Sequence, residues 1–254
     1  MLQIQDVSMQ FGGLVALDKI CMTVEKGEIR GLIGPNGSGK TTLINVITGF
    51  YAPTNGTVNM NNVALAGKRT YQIANMGLCR TFQNINLFAD MSVLENVVTP
   101  QSVTTKDHIG SAVFSTREFK NAEQKINERA KELLEFVGLG DKLYIKAKNL
   151  PYGQQRLLEI ARALSTNPQL LLLDEPVAGM NEQESESVSA LVRQLREKMG
   201  ITILLIEHHM RFVMSICDKI TVLNFGKVIA EGIPQEIQNN EDVINVYLGK
   251  KRGQ

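Results

Sequence analysis

The sequence predicts an α/β fold with a mixed central sheet, an antiparallel β part at the N-terminus and a helical subdomain. Three observations carry this. A glycine-rich stretch, Gly34–Thr42, stands between an apolar run that reads as a buried strand and a stripe of apolar residues at helical spacing. Two later apolar runs, Leu170–Glu175 and Ile201–Ile206, have the length and continuity of parallel strands buried on both faces, and they alternate with helical patterns. Ahead of them, from about Asn96 to Asn149, the composition changes to that of a helical insertion.

In chain order, residues 2–7 and 20–25 read as short strands joined by Phe11-Gly12-Gly13, placed to cover the base of a bound nucleotide. Glu28–Ile33 is the next strand. The segment Gly34-Pro35-Asn36-Gly37-Ser38-Gly39-Lys40-Thr41-Thr42 then fits the phosphate-binding pattern G-x-x-x-x-G-K-[ST]. Its glycines let successive backbone N–H groups turn into one concave nest that suits phosphate oxygens. Lys40 is expected to reach the β- and γ-phosphates, and the Thr41 hydroxyl to hold Mg²⁺. Leu43, Val46, Ile47 and Phe50 continue as a helix, so the phosphates would sit on a helix N-terminus.

Pro53, Asn55-Gly56 and Asn61-Asn62 mark turns between short strands, and Gly77–Phe82 reads as a strand ending at Gln83. In the insertion, Ser115–Glu118 has the form of a capping box ahead of Phe119, Ala122, Ile126, Ala130, Leu133, Leu134 and Val137, with Gly138 at the helix end. Leu150–Gln155 opens an amphipathic helix through Leu157, Ile160, Ala161 and Leu164. The Leu170 strand ends in Asp174-Glu175, and Val188, Leu191, Val192, Leu195 and Met199 mark the helix that follows. Gly200 closes it, and the next strand ends in Glu207-His208-His209. Ile220–Leu223 and Val228–Glu231 flank Phe225-Gly226-Lys227 as a hairpin, and Pro234 opens a short terminal helix. Gly34, Asp174 and His208 therefore all fall just beyond the carboxyl ends of predicted strands, where open α/β sheets place ligands. The expected organisation is a single domain over 1–254, with 96–165 as a helical subdomain within it.

Composition narrows the function. Lys plus Arg number 27 and Asp plus Glu 26, a balance that gives no sign of nucleic-acid binding. The three cysteines, Cys21, Cys79 and Cys217, are scattered and form no C-x-x-C, so buried, inert thiols in a reducing compartment are expected. No stretch reads as a signal peptide, and no apolar run approaches the ~20 residues of a spanning helix. A role at a membrane would need another subunit to hold the chain there.

An apolar strand ending in Asp174-Glu175 is the expected second half of a nucleotide hydrolase. Asp174 would hold Mg²⁺ through its water shell, and Glu175 would orient or deprotonate the attacking water. The order phosphate loop, Gln83, Leu150-Pro151-Tyr152-Gly153-Gln154, Leu170–Glu175, His208 resembles the ATP-binding subunit of ABC transporters over nearly the whole chain. It is therefore identified as a phosphate-loop NTPase of the ABC ATPase type. Arg80-Thr-Phe-Gln-Asn84, Leu87-Phe88, Leu94-Glu-Asn-Val97, Asp174-Glu-Pro-Val-Ala-Gly179 and Ile206-Glu-His208 resemble the branched-chain amino acid importer subfamily, with urea/amide importers as close relatives.

The resemblance implies that Phe11 stacks on adenine, that Gln83 senses Mg²⁺ and the attacking water, and that His208 contacts the γ-phosphate. It implies a head-to-tail pair of ATP-binding subunits, copy or paralogue. ATP would lie between one phosphate loop and the other subunit's signature segment, Pro151-Tyr152-Gly153-Gln154. Two integral membrane permease subunits and, indirectly, an extracytoplasmic binding protein complete the assembly, which places this chain at the cytoplasmic face of the inner membrane. The stretch from Gln83 through Leu94, Phe88 included, is where membrane-subunit contact is expected. Two departures stand out. Asn181 occupies a position where many family members carry Asp. Pro151 stands where the family's signature serine donates to phosphate, and proline offers neither hydroxyl nor N–H. Pro151 reads either as a good first helical residue or as the mark of a weakened site.

Overall fold

The computed structural model describes residues 1–104 and 117–248. They form two compact units, residues 1–80 with 169–248, and residues 81–104 with 117–168, the second of which holds the described part of 96–165.

In the first unit, β1 (Leu2–Phe11) and β2 (Leu14–Val24) form a long hairpin that turns at Gly12-Gly13. Both strands outrun the short stretches expected, because register shifts between Ile4 and Val7 and between Val7 and Met9 let pairing continue past the irregular positions. With β4 (Asn55–Met60) and β5 (Val63–Ala64) they make an antiparallel sheet of order β2-β1-β4-β5. The second sheet runs β10-β9-β3-β8-β7-β6. Its strands are β3 (Ile29–Ile33), β6 (Leu78–Arg80), β7 (Leu170–Asp174), β8 (Thr202–Ile206), β9 (Lys219–Asn224) and β10 (Lys227–Gly232). Neighbours from β6 to β9 pair in parallel, and β10 joins β9 antiparallel as a hairpin. The sheet is thus mixed, as the sequence predicts.

Every residue of β3 and β8 is buried, as expected for strands covered on both faces. Helix α1 (Lys40–Ile47) supplies Leu43, Ile44, Val46 and Ile47 to one core. That core joins Leu2, Ile4 and Val58 of the antiparallel sheet to Leu32, Leu172 and Leu204 of the parallel one. Within β3 the buried Arg30 is neutralised by Glu28 at 2.9 Å and Glu231 at 3.1 Å, and it donates to the Thr23 carbonyl at 2.7 Å. Of the three thiols, only Cys217 is buried, and burial pushes its pKa far up. Cys21 is exposed, contrary to expectation, because it points outward from β2, an edge strand of the antiparallel sheet. Beyond α2 (Thr70–Asn75) and α7 (Met210–Ile216), this unit ends in α8 (Pro234–Gln238) and α9 (Glu241–Leu248), two helices where the sequence suggests one.

The second unit holds α3 (Val93–Thr104), α4 (Arg117–Phe136) and α5 (Tyr152–Leu164). The capping box expected at Ser115–Glu118 begins outside the described residues. The far end of α4 behaves as predicted: Gly138 adopts φ +80°, and the Gly138 and Leu139 amides close on the Glu135 and Leu134 carbonyls. Among the described residues no helix is long and apolar enough to cross a membrane.

Candidate nucleotide site

Strands β3, β8 and β7 are adjacent in the sheet, so the loops at their carboxyl ends gather the predicted residues in one place. After β3, Gly34 takes φ +152°, and a Cβ there would collide with the Leu223 carbonyl and come within 2.6 Å of the Ser38 hydroxyl. Gly39 takes φ +107°, and a Cβ would lie 2.9 Å from the Ala16 carbonyl of β2. Only glycine fits both the backbone and the space. The loop is fastened from outside as well: Gly226 N–H donates to the Ser38 carbonyl at 2.9 Å, and Asp18 N–H to the Gly226 carbonyl at 2.8 Å.

Helix α1 begins at Lys40 with no side-chain cap, and its first bond runs from Leu43 N–H to the Gly39 carbonyl at 2.9 Å. The Lys40, Thr41 and Thr42 amides therefore stand at an open helix start, suited to an anion. The Lys40 ammonium is buried and donates to the Gly34 and Pro35 carbonyls at 2.6 and 3.0 Å. Burial pulls its pKa down, while the Glu175 and Asp174 carboxylates push it back up. The Asp174 and Glu175 carboxylates, at and just after the end of β7, thus act on the Lys40 charge. The buried Ser38 hydroxyl has no hydrogen-bond partner among the described residues.

Asp174 ends β7, and its Oδ2 accepts from Arg80 at 2.7 Å, while Arg80 also donates to Asn45 at 2.9 Å. Glu175 is one of the few non-glycine residues at positive φ, +48°, a strained geometry. Its Oε1 lies 3.4 Å from His208 Nδ1. Glu207, just before that histidine, is buried, and its carboxylate accepts from Val177 N–H at 3.3 Å, His208 N–H at 2.9 Å and His209 N–H at 3.0 Å. It ties the loop after β7 to the loop after β8. Asn181 has a structural job: it caps helix α6 (Glu182–Met199), accepting from Glu184 N–H at 2.9 Å in a reciprocal capping box.

Phe11 is 42% exposed and meets Tyr51 edge to face at 5.3 Å. An exposed ring held by another aromatic is available for stacking. For a metal, no cluster of three or more acidic, His or Cys side chains exists among the described residues. Thr41 and Asp174 instead suit Mg²⁺, which takes one or two protein ligands and fills its octahedron with phosphates and water.

In the second unit, the Pro151–Gln154 segment forms the start of α5. Pro151 is the N-cap, one position earlier than the first helical residue, and no side chain caps the helix. The first intrahelical bond runs from Gln155 N–H to the Pro151 carbonyl at 3.0 Å, leaving the Tyr152, Gly153 and Gln154 amides at the open end. Gln83 is exposed. Phe88 is 45% exposed, its backbone is held on both sides by the buried Asn96 amide at 2.9 and 3.1 Å, and the Arg162 guanidinium lies 5.6 Å from its ring centre.

The strand-end loops, the glycine-specific nest and the paired carboxylates define a nucleotide-binding phosphate-loop protein. Comparison with known proteins gives the family. Residues 17–178 match the ABC transporter family model, and residues 227–252 match that of the branched-chain amino acid ATP-binding cassette transporter. The chain belongs to the ABC transporter family. It is 45% identical to a high-affinity branched-chain amino acid transport ATP-binding protein of Salmonella typhimurium, with 98% of each chain covered. It is 42% identical to the corresponding Pseudomonas aeruginosa protein, again over 98% of each. Among solved structures it resembles the ADP conformation of an ATP-binding cassette of an ABC transporter (TM-score 0.85, 34% identity, 98% of this chain and 99% of that one). It also resembles a dimeric cassette in a post-hydrolysis state with ADP and Pi (TM-score 0.77, 26% identity, 92% and 99%).

Arg80, Tyr51 and Glu207 were not singled out for roles from the sequence. Arg80 lies within the Arg80–Asn84 stretch and Glu207 beside His208, so position alone can raise both. Tyr51 carried no local signal.

Proposed function

We propose that this chain is an ATP-hydrolysing subunit that drives uptake of branched-chain amino acids through separate membrane subunits. The observation that carries the reading is the convergence of the Lys40 loop, Asp174-Glu175 and His208 on three adjacent strand ends, in a chain 45% identical to a high-affinity branched-chain amino acid transport ATP-binding protein over nearly its full length.

In this reading the loop amides from Gly37 to Thr42 and the Lys40 ammonium hold the β- and γ-phosphates of ATP, and Phe11 stacks on adenine. Thr41 and Asp174 would hold Mg²⁺, which would neutralise charge on the phosphates. Glu175 orients the attacking water and takes its proton, while His208 steadies the γ-phosphate and the Glu175 carboxylate together. The Tyr152–Gln154 amides close on the γ-phosphate of a partner cassette, copy or paralogue. Bound ATP then bridges two surfaces, and hydrolysis lets them part. The Phe88 region meets the permease at the cytoplasmic face of the membrane.

The test is reconstitution with two permease subunits, a second cassette and a binding protein in vesicles. ATP-dependent accumulation of labelled leucine is expected, with none for Lys40→Ala. Accumulation of urea or an amide and not leucine would overturn the substrate assignment.

A further inference from the structure

Two charged residues of α5 lie on its buried face: Arg156 is 0% and Glu159 2% exposed. They pair with each other at 2.7 Å, but most of their bonding goes elsewhere. Arg156 Nη1 donates to the Phe82 carbonyl at 2.6 Å, and Nη2 to the Gln83 carbonyl at 2.8 Å. The other oxygen of Glu159 accepts from Phe82 N–H at 3.1 Å. Each charge thus neutralises the other while both grip the backbone of residues 82 and 83.

We propose that Arg156 and Glu159 are a positioning pair that fastens the backbone at Gln83 to the signature helix α5, so that Gln83 and the Tyr152–Gln154 amides move as one body. The inference rests on the reading of Gln83 as the residue that senses the nucleotide.

The energetics favour a geometric role over a cohesive one. A buried ion pair contributes little net stability, and apolar residues of similar volume often do as well or better. Arg156 Nε is buried without a hydrogen-bond partner, a further cost. What an apolar pair cannot supply is the three bonds to residues 82 and 83. The planar guanidinium reaches two successive carbonyls at once, which a lysine ammonium cannot match. Arg156 also lies one turn after Tyr152, whose hydroxyl is 3.5 Å from Nη2, so the same side chain touches the signature segment itself. A displacement of α5 would therefore be transmitted to Gln83 through short, charge-assisted bonds rather than through flexible loop.

The test replaces both charges together, Arg156→Met with Glu159→Leu, which leaves no lone buried charge. In the full chain, hydrogen exchange over residues 82–84 is expected to speed up by about tenfold or more while α5 keeps its protection. Unchanged protection at 82–84 would overturn the proposal. In the reconstituted transporter, the double variant and Gln83→Ala are each expected to lower kcat with ATP KM unchanged. Combining them should cost no more than the larger single loss, within about twofold. Losses that multiply would also overturn it, because the pair would then act independently of Gln83. If Gln83→Ala alone left kcat intact, the role read for Gln83 would fail, while exchange would still decide the fastening. Should the double variant not fold, Arg156→Lys keeps the charge and is expected to weaken protection at 82–84.

Discussion

The phosphate loop and the start of α5 both present backbone amides at an uncapped helix N-terminus, yet they are equipped differently. The loop has its own buried cation in Lys40, a hydroxyl at Thr41 and glycines at φ values no other residue tolerates. The start of α5 has only peptide amides, the helix dipole and Pro151, whose side chain donates nothing. An anion can be held by the first segment alone. The second has too little charge to compete with water unless the phosphate is already fixed by another surface. On the proposed function, this difference gives the loop the affinity for nucleotide and α5 the closing contact.

The sharpest way to break this comparison is Lys40→Ala. Losing a charge-assisted contact in a buried nest should weaken ATP binding about 100-fold, read by titration with a fluorescent nucleotide. A change of only about threefold, no more than one weak hydrogen bond would give, would mean that loop and helix start are equivalent. Next is Glu207→Leu, which removes the acceptor of three amides that tie the loops after β7 and β8. Stability should fall by about 2–3 kcal/mol in chemical denaturation, since buried donors left unpaired carry their full desolvation penalty. Gly34→Ala should cost about 2 kcal/mol by the same measurement, through strain at φ +152° against the Leu223 carbonyl. Pro151→Ser has the smallest expected effect and sharpens the comparison from the other side. A serine N-cap adds about 0.5–1 kcal/mol of stability and should raise ATPase turnover in the assembled transporter about two- to fourfold. Unchanged turnover would show that the amides of α5 already suffice.

What could be read in advance was whatever depends on local spacing. The loop pattern, the apolar strand before Asp174 and the histidine at the end of β8 are each set by a few consecutive residues, and the sheet then brings them together. Cross-chain partners were not legible. Arg80 reaches Asp174 across 94 positions, and Arg156 reaches Gln83 across 73. The helical stripe of α5 reads as Leu157, Ile160, Ala161 and Leu164, yet Leu157 is only half-buried, and the buried face takes Arg156, Leu158 and Glu159. A polar pair that satisfies itself against backbone looks, in sequence, like a solvated one. Cys21 misled in the opposite way: thiols are usually inside, but an edge strand turns alternate residues to solvent.

The most direct test of the central claim is Glu175→Gln, with ATP binding and ATP hydrolysis measured on the same preparation. Glu175 is held at φ +48° with its carboxylate 3.4 Å from His208, so its removal should affect chemistry and not affinity. The expected result is ATP affinity within about twofold of the unaltered chain and hydrolysis at least about 100-fold slower. Hydrolysis that persists at the original rate would contradict the account, because the water would then be activated by a group other than the Glu175 carboxylate just beyond β7.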